Sequence, residues 1–493
     1  MSTNPLELKD LARRLPEVDA TITALLAAAR IPGAALAVVC GSDVVHTKGY
    51  GYRSLEPRAP VTASTIYPIA STTKAFNATL LGMLVDEGKL AWDAPVQTYL
   101  PQFRLGGPIS SATVTIRDLL TMRTGLPRHD WSWIENPVTR SELVARLDHL
   151  PLSAGFREKF QYNNLTATTA GYIAEVVTGR SWEELIQERI LSPLKTHATT
   201  FERPAREEVT ASYHESRSRE LIVSQRLAGE VTAPSGGSMH STVADMAKWL
   251  AFNLNGGRAD GQKLIESKTL AEIQAPQVVA RTDPACPTPN ATYGMGWFVD
   301  TYNGRTRIAH GGYLHDVNSS VMLFPHEGVG LVSFINFGSP RLARLLNEHA
   351  GDVLFDTRPV QSAAEKVAEY EHSLAENLKR LAGLKRVASA PPSHEFVHYV
   401  GMYEHPGYGK LEIGLEGAEL VFRRGALAVP LEHWHYDTWA FAATNLFEIH
   451  DPHCFDTGSR VQFEMGLDGA ISALATALEP AVPPIRFLKL RGA

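Results

Sequence analysis

Two apolar, strand-like segments, residues 33–40 and 329–336, stand at opposite ends of a long helix-rich stretch. Asp43–Lys48 follows the first after Gly41 and Ser42, and Ile308–Ala309 and Ser319–Phe324 precede the second. Strands at both ends with helices between predict one sheet whose halves lie far apart in the chain. Residues 5–30 read as an amphipathic helix. The run Ser71–Glu87 reads as another: Phe76, Leu80, Leu81, Leu84 and Val85 recur at helical spacing, and Gly88 stops it. Ser181 with Glu184 makes a capping box for a helix over Trp182–Leu191, and Val243–Phe252 is helical in pattern. The expectation is an α/β (α+β) domain, an antiparallel sheet flanked by helices with an all-helical insertion.

A chain of 493 residues is too long for one ordinary domain. From Val360 to Arg386 it is charged and helical in pattern, ending at Ala388-Ser389-Ala390-Pro391-Pro392. Beyond that step the texture changes. Lys410–Leu415, Glu419–Arg424, Trp439–Ile449, Val461–Met465 and Ile485–Leu490 are short and strand-like, separated by Gly and Pro turns. That spacing predicts a small antiparallel barrel or sandwich of about 100 residues. The expected division is residues 1–357, a helical linker over 358–392, and a β-domain over 393–493.

The net charge of −6 is spread without long runs of one sign. There is no basic stripe for nucleic acid and no polybasic anchor for a membrane. No stretch approaches the roughly 20 apolar residues that span a bilayer. Residues 1–18 contain no apolar leader core and no small-residue cleavage site, so a soluble, cytoplasmic protein is expected. Three scattered cysteines, Cys40, Cys286 and Cys454, build no disulfide framework.

The chemistry begins at Ser71-Thr72-Thr73-Lys74, at the start of an apolar-periodic helix. Residues three apart share a helix face, so the Lys74 amine reaches the Ser71 hydroxyl. A serine hydroxyl needs a neighbour to take its proton. A lysine does this only when burial or nearby cations lower its pKa. The helix N-terminus also presents the Ser71 N–H where an oxyanion would form. Alone, this tetrapeptide is weak, because it occurs by chance in many chains. Two further elements follow it. In Tyr162-Asn163-Asn164, the tyrosine offers a general base or a proton shuttle. Asn164 offers an amide to hold the lysine and a substrate carbonyl, while Asn163 should point away from Ser71. His310-Gly311-Gly312 ends a strand-like segment, where two glycines admit a substrate backbone. The N–H of Tyr313 would be the second oxyanion donor, and His310 would supply a donor or a positive charge.

These elements, in this order, resemble the penicillin-recognising serine hydrolase superfamily, whose signature pairs S-x-x-K with two later motifs. The Y-x-N form resembles the branch of class C β-lactamases, DD-peptidases, esterases and D-aminopeptidases. Leu119-Leu120-Thr121-Met122-Arg123-Thr124-Gly125-Leu126, Ser235-Gly236-Gly237-Ser238-Met239 and Tyr293-Gly294-Met295-Gly296-Trp297 look like its framework segments. The resemblance covers roughly residues 15–355. Gly401-Met402-Tyr403 and Gly407-Tyr408-Gly409, with the strands after them, resemble more loosely an attached lipocalin-like β-barrel.

The resemblance implies a β-lactamase/DD-peptidase-like fold with the Ser71 helix at the junction of sheet and helical subdomain. It implies an acyl-enzyme on Ser71, with Lys74 and Tyr162 accepting the proton and no cofactor or metal. His-Gly-Gly in place of Lys-Thr-Gly favours peptide substrates over β-lactams, including D-residue or linearised cyclic peptides. A carboxylesterase or β-lactamase-like hydrolase, an acyltransferase or peptide cyclase, and a non-catalytic binding protein are the alternatives. Expected partners are a small peptide or ester, with no nucleic acid and no membrane, and a homo-oligomer is left open. Of the remaining features, His433 and His435 are expected to pack rather than bind metal. His129-Asp130 with Trp131 and Trp133 are cleft-lining candidates. Arg423-Arg424 read as a solvated strand end.

Overall fold

The computed structural model describes residues 8–216, 220–224, 234–282, 290–338, 342, 344–442 and 460–490. Nine strands make the large sheet: β1 (Gly33–Cys40), β2 (Asp43–Leu55), β3 (Arg58–Pro60), β4 (Val278–Thr282), β5 (Asn290–Tyr293), β6 (Phe298–Tyr302), β7 (Arg305–Leu314), β8 (Val317–Phe324) and β9 (Val329–Ile335). Their spatial order is β4-β5-β6-β7-β8-β9-β1-β2-β3. The two segments from opposite ends of the helical stretch are neighbours: β9 pairs antiparallel with β1, setting Ala34 opposite Ile335 and Val38 opposite Leu331.

The principal helices are α1 (Leu8–Ala28), α2 (Thr73–Asp86), α3 (Asn164–Thr178), α4 (Val243–Leu254), α5 (Leu345–Phe355) and α6 (Ala363–Ala382). β1 shows why its segment reads as an unbroken apolar run. Ala34, Leu36 and Val38 join the core closed by α1 and α5, with Leu11, Ile22 and Leu346. Ala35, Ala37 and Val39 join the opposite core, with Phe76 and Leu80 of α2 and Trp249 of α4. Alternate residues face opposite sides of a strand, so a strand covered on both faces carries no polar alternation. Full burial of one such Leu or Val contributes about 1.5–3 kcal/mol.

The expected Ser71 helix opens with a 3₁₀ turn, Ala70–Thr72, that leads into α2. The Ser181/Glu184 capping box is formed, and the helix behind it widens into a π turn over Gln187–Leu191. Among the described residues no helix is long and apolar enough to cross a membrane.

After α6, eight strands close into an antiparallel barrel: β10 (Gly401–His405), β11 (Gly409–Glu416), β12 (Glu419–Arg424), β13 (Leu427–His435), β14 (Thr438–Phe441), β15 (Arg460–Met465), β16 (Ile471–Thr476) and β17 (Ile485–Lys489). β10 pairs with both β11 and β17, which completes the closure. Tyr399, Tyr403, Trp439 and Phe463 cluster in its core with ring centroids 4.6–6.0 Å apart. The strand expected over Trp439–Ile449 is present as Thr438–Phe441; the positions after 442, Cys454 and Cys286 lie outside the described residues. His433 bonds the Tyr436 carbonyl and His435 accepts from Val387 N–H, as packing residues do.

Arg424 corrects the reading of a solvated strand end. It is buried, and its guanidinium donates to the carbonyls of Trp131 and Tyr408 at 2.6 Å each and of Ile134 at 3.2 Å. Its strand forms the seam between barrel and sheet domain, and three carbonyl acceptors replace the water that an arginine head otherwise requires.

Candidate active site

Ser71 lies where the 3₁₀ turn is pressed against β7. The pairing of β6 with β7 ends at Phe298 opposite Ala309, so His310–Leu314 run on with β8 as their only strand partner among the described residues. The turn packs along that stretch at very short range. A Cβ at Gly312 would fall 2.5 Å from the Ile69 carbonyl oxygen and 2.9 Å from Ala70 Cβ. Ser319 Oγ donates to the same carbonyl at 2.7 Å, and Ile69 N–H donates to Met239 O at 2.8 Å. Ala70 itself has φ 48°, a left-handed conformation that costs a non-glycine residue about 1–2 kcal/mol. The surrounding contacts hold it there. Replacing Gly312 by Ala should push the turn off the strand and lower kcat/KM for p-nitrophenyl butyrate about 100-fold, since small misplacements of reacting groups cost that much. Wild-type kinetics in the variant would remove this role from Gly312.

Lys74 is buried and makes three contacts: Ser71 Oγ at 2.9 Å, Asn164 Oδ1 at 2.7 Å and the Gly236 carbonyl at 2.5 Å. Burial holds its pKa well below 10.5; the nearby Arg128 cation lowers it further, and the Asp130 carboxylate works weakly the other way. In its neutral form the amine has two N–H groups and one lone pair. Two partners, the Gly236 carbonyl and Asn164 Oδ1, can only accept. They take both N–H groups and leave the lone pair facing the Ser71 hydroxyl. Asn164 is itself oriented: its Nδ2 donates to Asp130 Oδ1 at 2.9 Å, which turns the amide oxygen toward Lys74.

The Tyr162 side chain stands next to Ser71 in the cleft wall, and burial pushes its pKa above the ordinary 10. Lys74 Nζ lies 4.8 Å and Arg128 Cζ 5.3 Å from its ring centroid. A phenol thus stands beside an amine whose charged form burial disfavours, with Ser71 next to both. That set can take a proton from Ser71 and pass one onward. Asn163 points away, as expected. Its side chain caps α3 by accepting from Thr166 N–H and donates to the Leu126 and Pro127 carbonyls.

Of the donor or positive charge expected of His310, the charge is disfavoured. The ring is buried beside Tyr293 and Phe298, and desolvation, helped by Lys74, drives its pKa down to about 3. Nδ1 donates to the Gly311 carbonyl at 2.6 Å, so Nε2, 3.1 Å from the Tyr293 hydroxyl, is the acceptor. A neutral imidazole satisfies both bonds. Gly311, Gly312 and Tyr313 line a cleft of about 340 Å³ with Ser71 and Tyr162. A smaller lobe on the other side of Ser71 is walled by Asn164, Gly236, Gly237, Tyr313 and Trp133.

The expected site residues are therefore brought together, and three more groups join them. Arg128 and the Gly236 carbonyl have no role readable from sequence, and Asp130 is expected only as a cleft-lining candidate. Arg128 sits beside the His129-Asp130 pair and Gly236 within Ser235–Met239, segments that stand out in the sequence without a geometry to interpret them. Of the cleft candidates, Trp133 lines the smaller lobe, whereas His129 turns away to the barrel: its ring meets Tyr408 Oη at 2.6 Å and the Pro151 carbonyl at 2.9 Å. No group of three or more metal-binding side chains occurs among the described residues.

A family model described as beta-lactamase matches residues 18–355, and one described as a domain of unknown function, DUF3471, matches residues 385–488. An unguisins hydrolase of Aspergillus campestris is 29% identical over 404 residues, covering 78% of this chain and 74% of that protein. Protein flp of Staphylococcus aureus strain MW2 is 28% identical over 365 residues, covering 72% and 69%. Among solved structures, the octameric penicillin-binding protein homologue from Pyrococcus abyssi aligns with TM-score 0.62 at 22% identity over 96% of this chain and all of that one. EstCE1, a hydrolase with promiscuous acyltransferase activity, aligns with TM-score 0.61 at 18% identity over 71% of this chain and 99% of that one. At such identities the structural likeness speaks for the fold alone.

Proposed function

The chain belongs to the β-lactamase family of serine hydrolases, and on that premise we propose that it is a peptidase acting on small peptides through an acyl-enzyme on Ser71. The observation that carries the peptide reading is the stretch His310–Leu314 of β7, which borders the Ser71 cleft with no sheet neighbour on that side among the described residues. An extended substrate backbone can add there as a further strand, its main-chain groups paired and its scissile carbonyl over Ser71.

In this mechanism Ser71 Oγ attacks the carbonyl carbon as its proton moves to the neutral Lys74 amine. The N–H groups of Ser71 and Tyr313 hold the oxyanion. The C–N bond then breaks, Tyr162 gives its proton to the departing amine, and Lys74 restores it. Water, activated by the same pair, releases the acid and regenerates Ser71.

The test separates amide from ester chemistry. A p-nitrophenolate leaves without a proton, whereas a peptide amine does not. Tyr162→Phe should therefore lower kcat for peptide cleavage by about 10²–10⁴-fold and leave p-nitrophenyl ester turnover much less affected. Mass spectrometry on L- and D-peptides with free or blocked ends, run beside Ser71→Ala, identifies the chirality and the end that is read. Ester turnover without any serine-dependent peptide cleavage would replace this reading with that of an esterase. An acyl adduct on Ser71 that accumulates without turnover would favour an acyltransferase awaiting its acceptor.

A further inference from the structure

We propose that the C-terminal barrel is part of the catalytic machinery: it clamps the segment Arg128–Asn136, and through Asp130 and Asn164 it aims Lys74 at Ser71. This rests on Ser71 and Lys74 as the reacting pair. Arg128, Asp130 and Trp133 belong to that segment, and all three act at the Ser71 site: Arg128 over Tyr162, Asp130 on the Asn164 amide, Trp133 in the cleft wall.

The segment has an uncommon shape. His129 and Glu135 both have φ of 49°, a left-handed conformation uncommon for residues other than glycine. Both are pinned by the barrel. His129 N–H donates to Glu479 Oε2 at 2.8 Å, and its Nδ1 accepts from Tyr408 Oη at 2.6 Å. The acceptor assignment follows because Nε2 must donate to the Pro151 carbonyl. Glu135 Oε2 accepts from Ala426 N–H at 2.7 Å. Between them, Arg424 gathers the Trp131 and Ile134 carbonyls, and Asn136 Nδ2 donates to the Tyr408 carbonyl at 3.1 Å. Arg424, Tyr408, Glu479, His129, Asp130 and Glu135 are all buried. Apolar residues of the barrel and of this region share one core cluster, which adhesion alone would need. Beyond that, the interface commits buried polar groups to the backbone of one segment, whose far side is the active site.

The consequence is specific. The charged and titratable groups about Lys74 are Arg128, Asp130, Tyr162 and His310. Loosening the clamp withdraws Arg128, lets water reach the amine and frees the Asn164 amide. Each of the first two changes raises the lysine pKa, and Arg128 acts more strongly than the opposing Asp130. The acid limb of kcat/KM should therefore move to higher pH.

The experiment uses the full chain and p-nitrophenyl butyrate, with the concentration of competent sites set by fluorophosphonate titration. Tyr408→Phe removes one hydroxyl from the clamp, Glu479→Gln its charge, and Arg424→Lys its fork. The expected result is a drop in kcat/KM per titrated site of about 10-fold or more for Arg424→Lys, less for the other two, with the acid limb shifted upward in each. Loss of folded protein alone would lower the number of sites and leave the per-site pH profile unchanged. If all variants that fold keep the wild-type per-site kcat/KM and acid limb, the barrel is a passive neighbour and the proposal fails. If Arg424→Lys does not fold, Tyr408→Phe and Glu479→Gln decide by the same two readings. Ser71→Ala run alongside separates the two failures: turnover that survives it overturns the functional reading, whereas normal serine-dependent turnover with unchanged barrel variants overturns only the clamp.

Discussion

Replacing Ser71 by Ala should abolish turnover of every substrate the wild type processes, by about 10⁴–10⁶-fold, the scale on which a covalent nucleophile is lost. The hydroxyls of Thr72 and Ser319 beside Ser71 are both committed to the Ile69 carbonyl, that of the buried Thr72 at 2.8 Å. The Tyr162 phenol is held neutral by burial. The variant should fold normally, because the change removes only the hydroxyl and its bond to Lys74. A thermal melt within a few degrees of wild type, with fluorophosphonate labelling lost, is the expected pair of observations. Residual activity near the wild-type rate would remove Ser71 from the mechanism.

Lys74→Met should cost almost as much, and Lys74→Arg should not recover it. This distinguishes a base from a fixed positive charge. A guanidinium stays protonated at any working pH, so it can bond to acceptors but cannot take the serine proton. If Lys74 acted only by its charge, Arg would restore a large part of the rate. The pH dependence carries the same sign. The neutral amine is the active form, so kcat/KM should rise with pH as Lys74 loses its proton and level off above its pKa. Burial and Arg128 place that pKa well below 10.5, so the rise should be complete far below the pH at which an exposed lysine titrates. His310, with its pKa near 3, should contribute no limb in the neutral range. A limb near 10.5 would mean that Lys74 is charged throughout and that another group accepts the proton.

Much of this site is legible without coordinates. A serine three residues before a lysine at a helix start already forces their side chains together, because helical geometry is local. The same locality makes Ser181/Glu184 readable as a cap, and it makes the apolar run of residues 33–40 readable as a strand. The order of Ser71-Thr72-Thr73-Lys74, Tyr162-Asn163-Asn164 and His310-Gly311-Gly312 supplies the rest, because three short patterns in series are far more specific than one.

What does not show in the sequence is long-range and electrostatic. His310 is expected to supply a donor or a positive charge, and burial among Tyr293, Phe298 and Tyr162 disfavours the charge; a histidine's surroundings are not written beside it in the chain. Arg424 looked solvated because it ends a strand next to another arginine, but that strand end meets the 131–136 segment of a different domain. Asp130 drew notice only as part of a polar pair, and its hold on Asn164 joins positions 34 residues apart.

Periodicity and neighbours within one helical turn are thus enough to write down the main elements, the candidate nucleophile and the lysine beside it. Which groups are charged, which way the Asn164 amide faces, and how the barrel grips the segment beside the site are settled only in the folded chain. Those outcomes depend on desolvation and on hydrogen bonds between distant parts of the chain, and neither exists until the chain has folded.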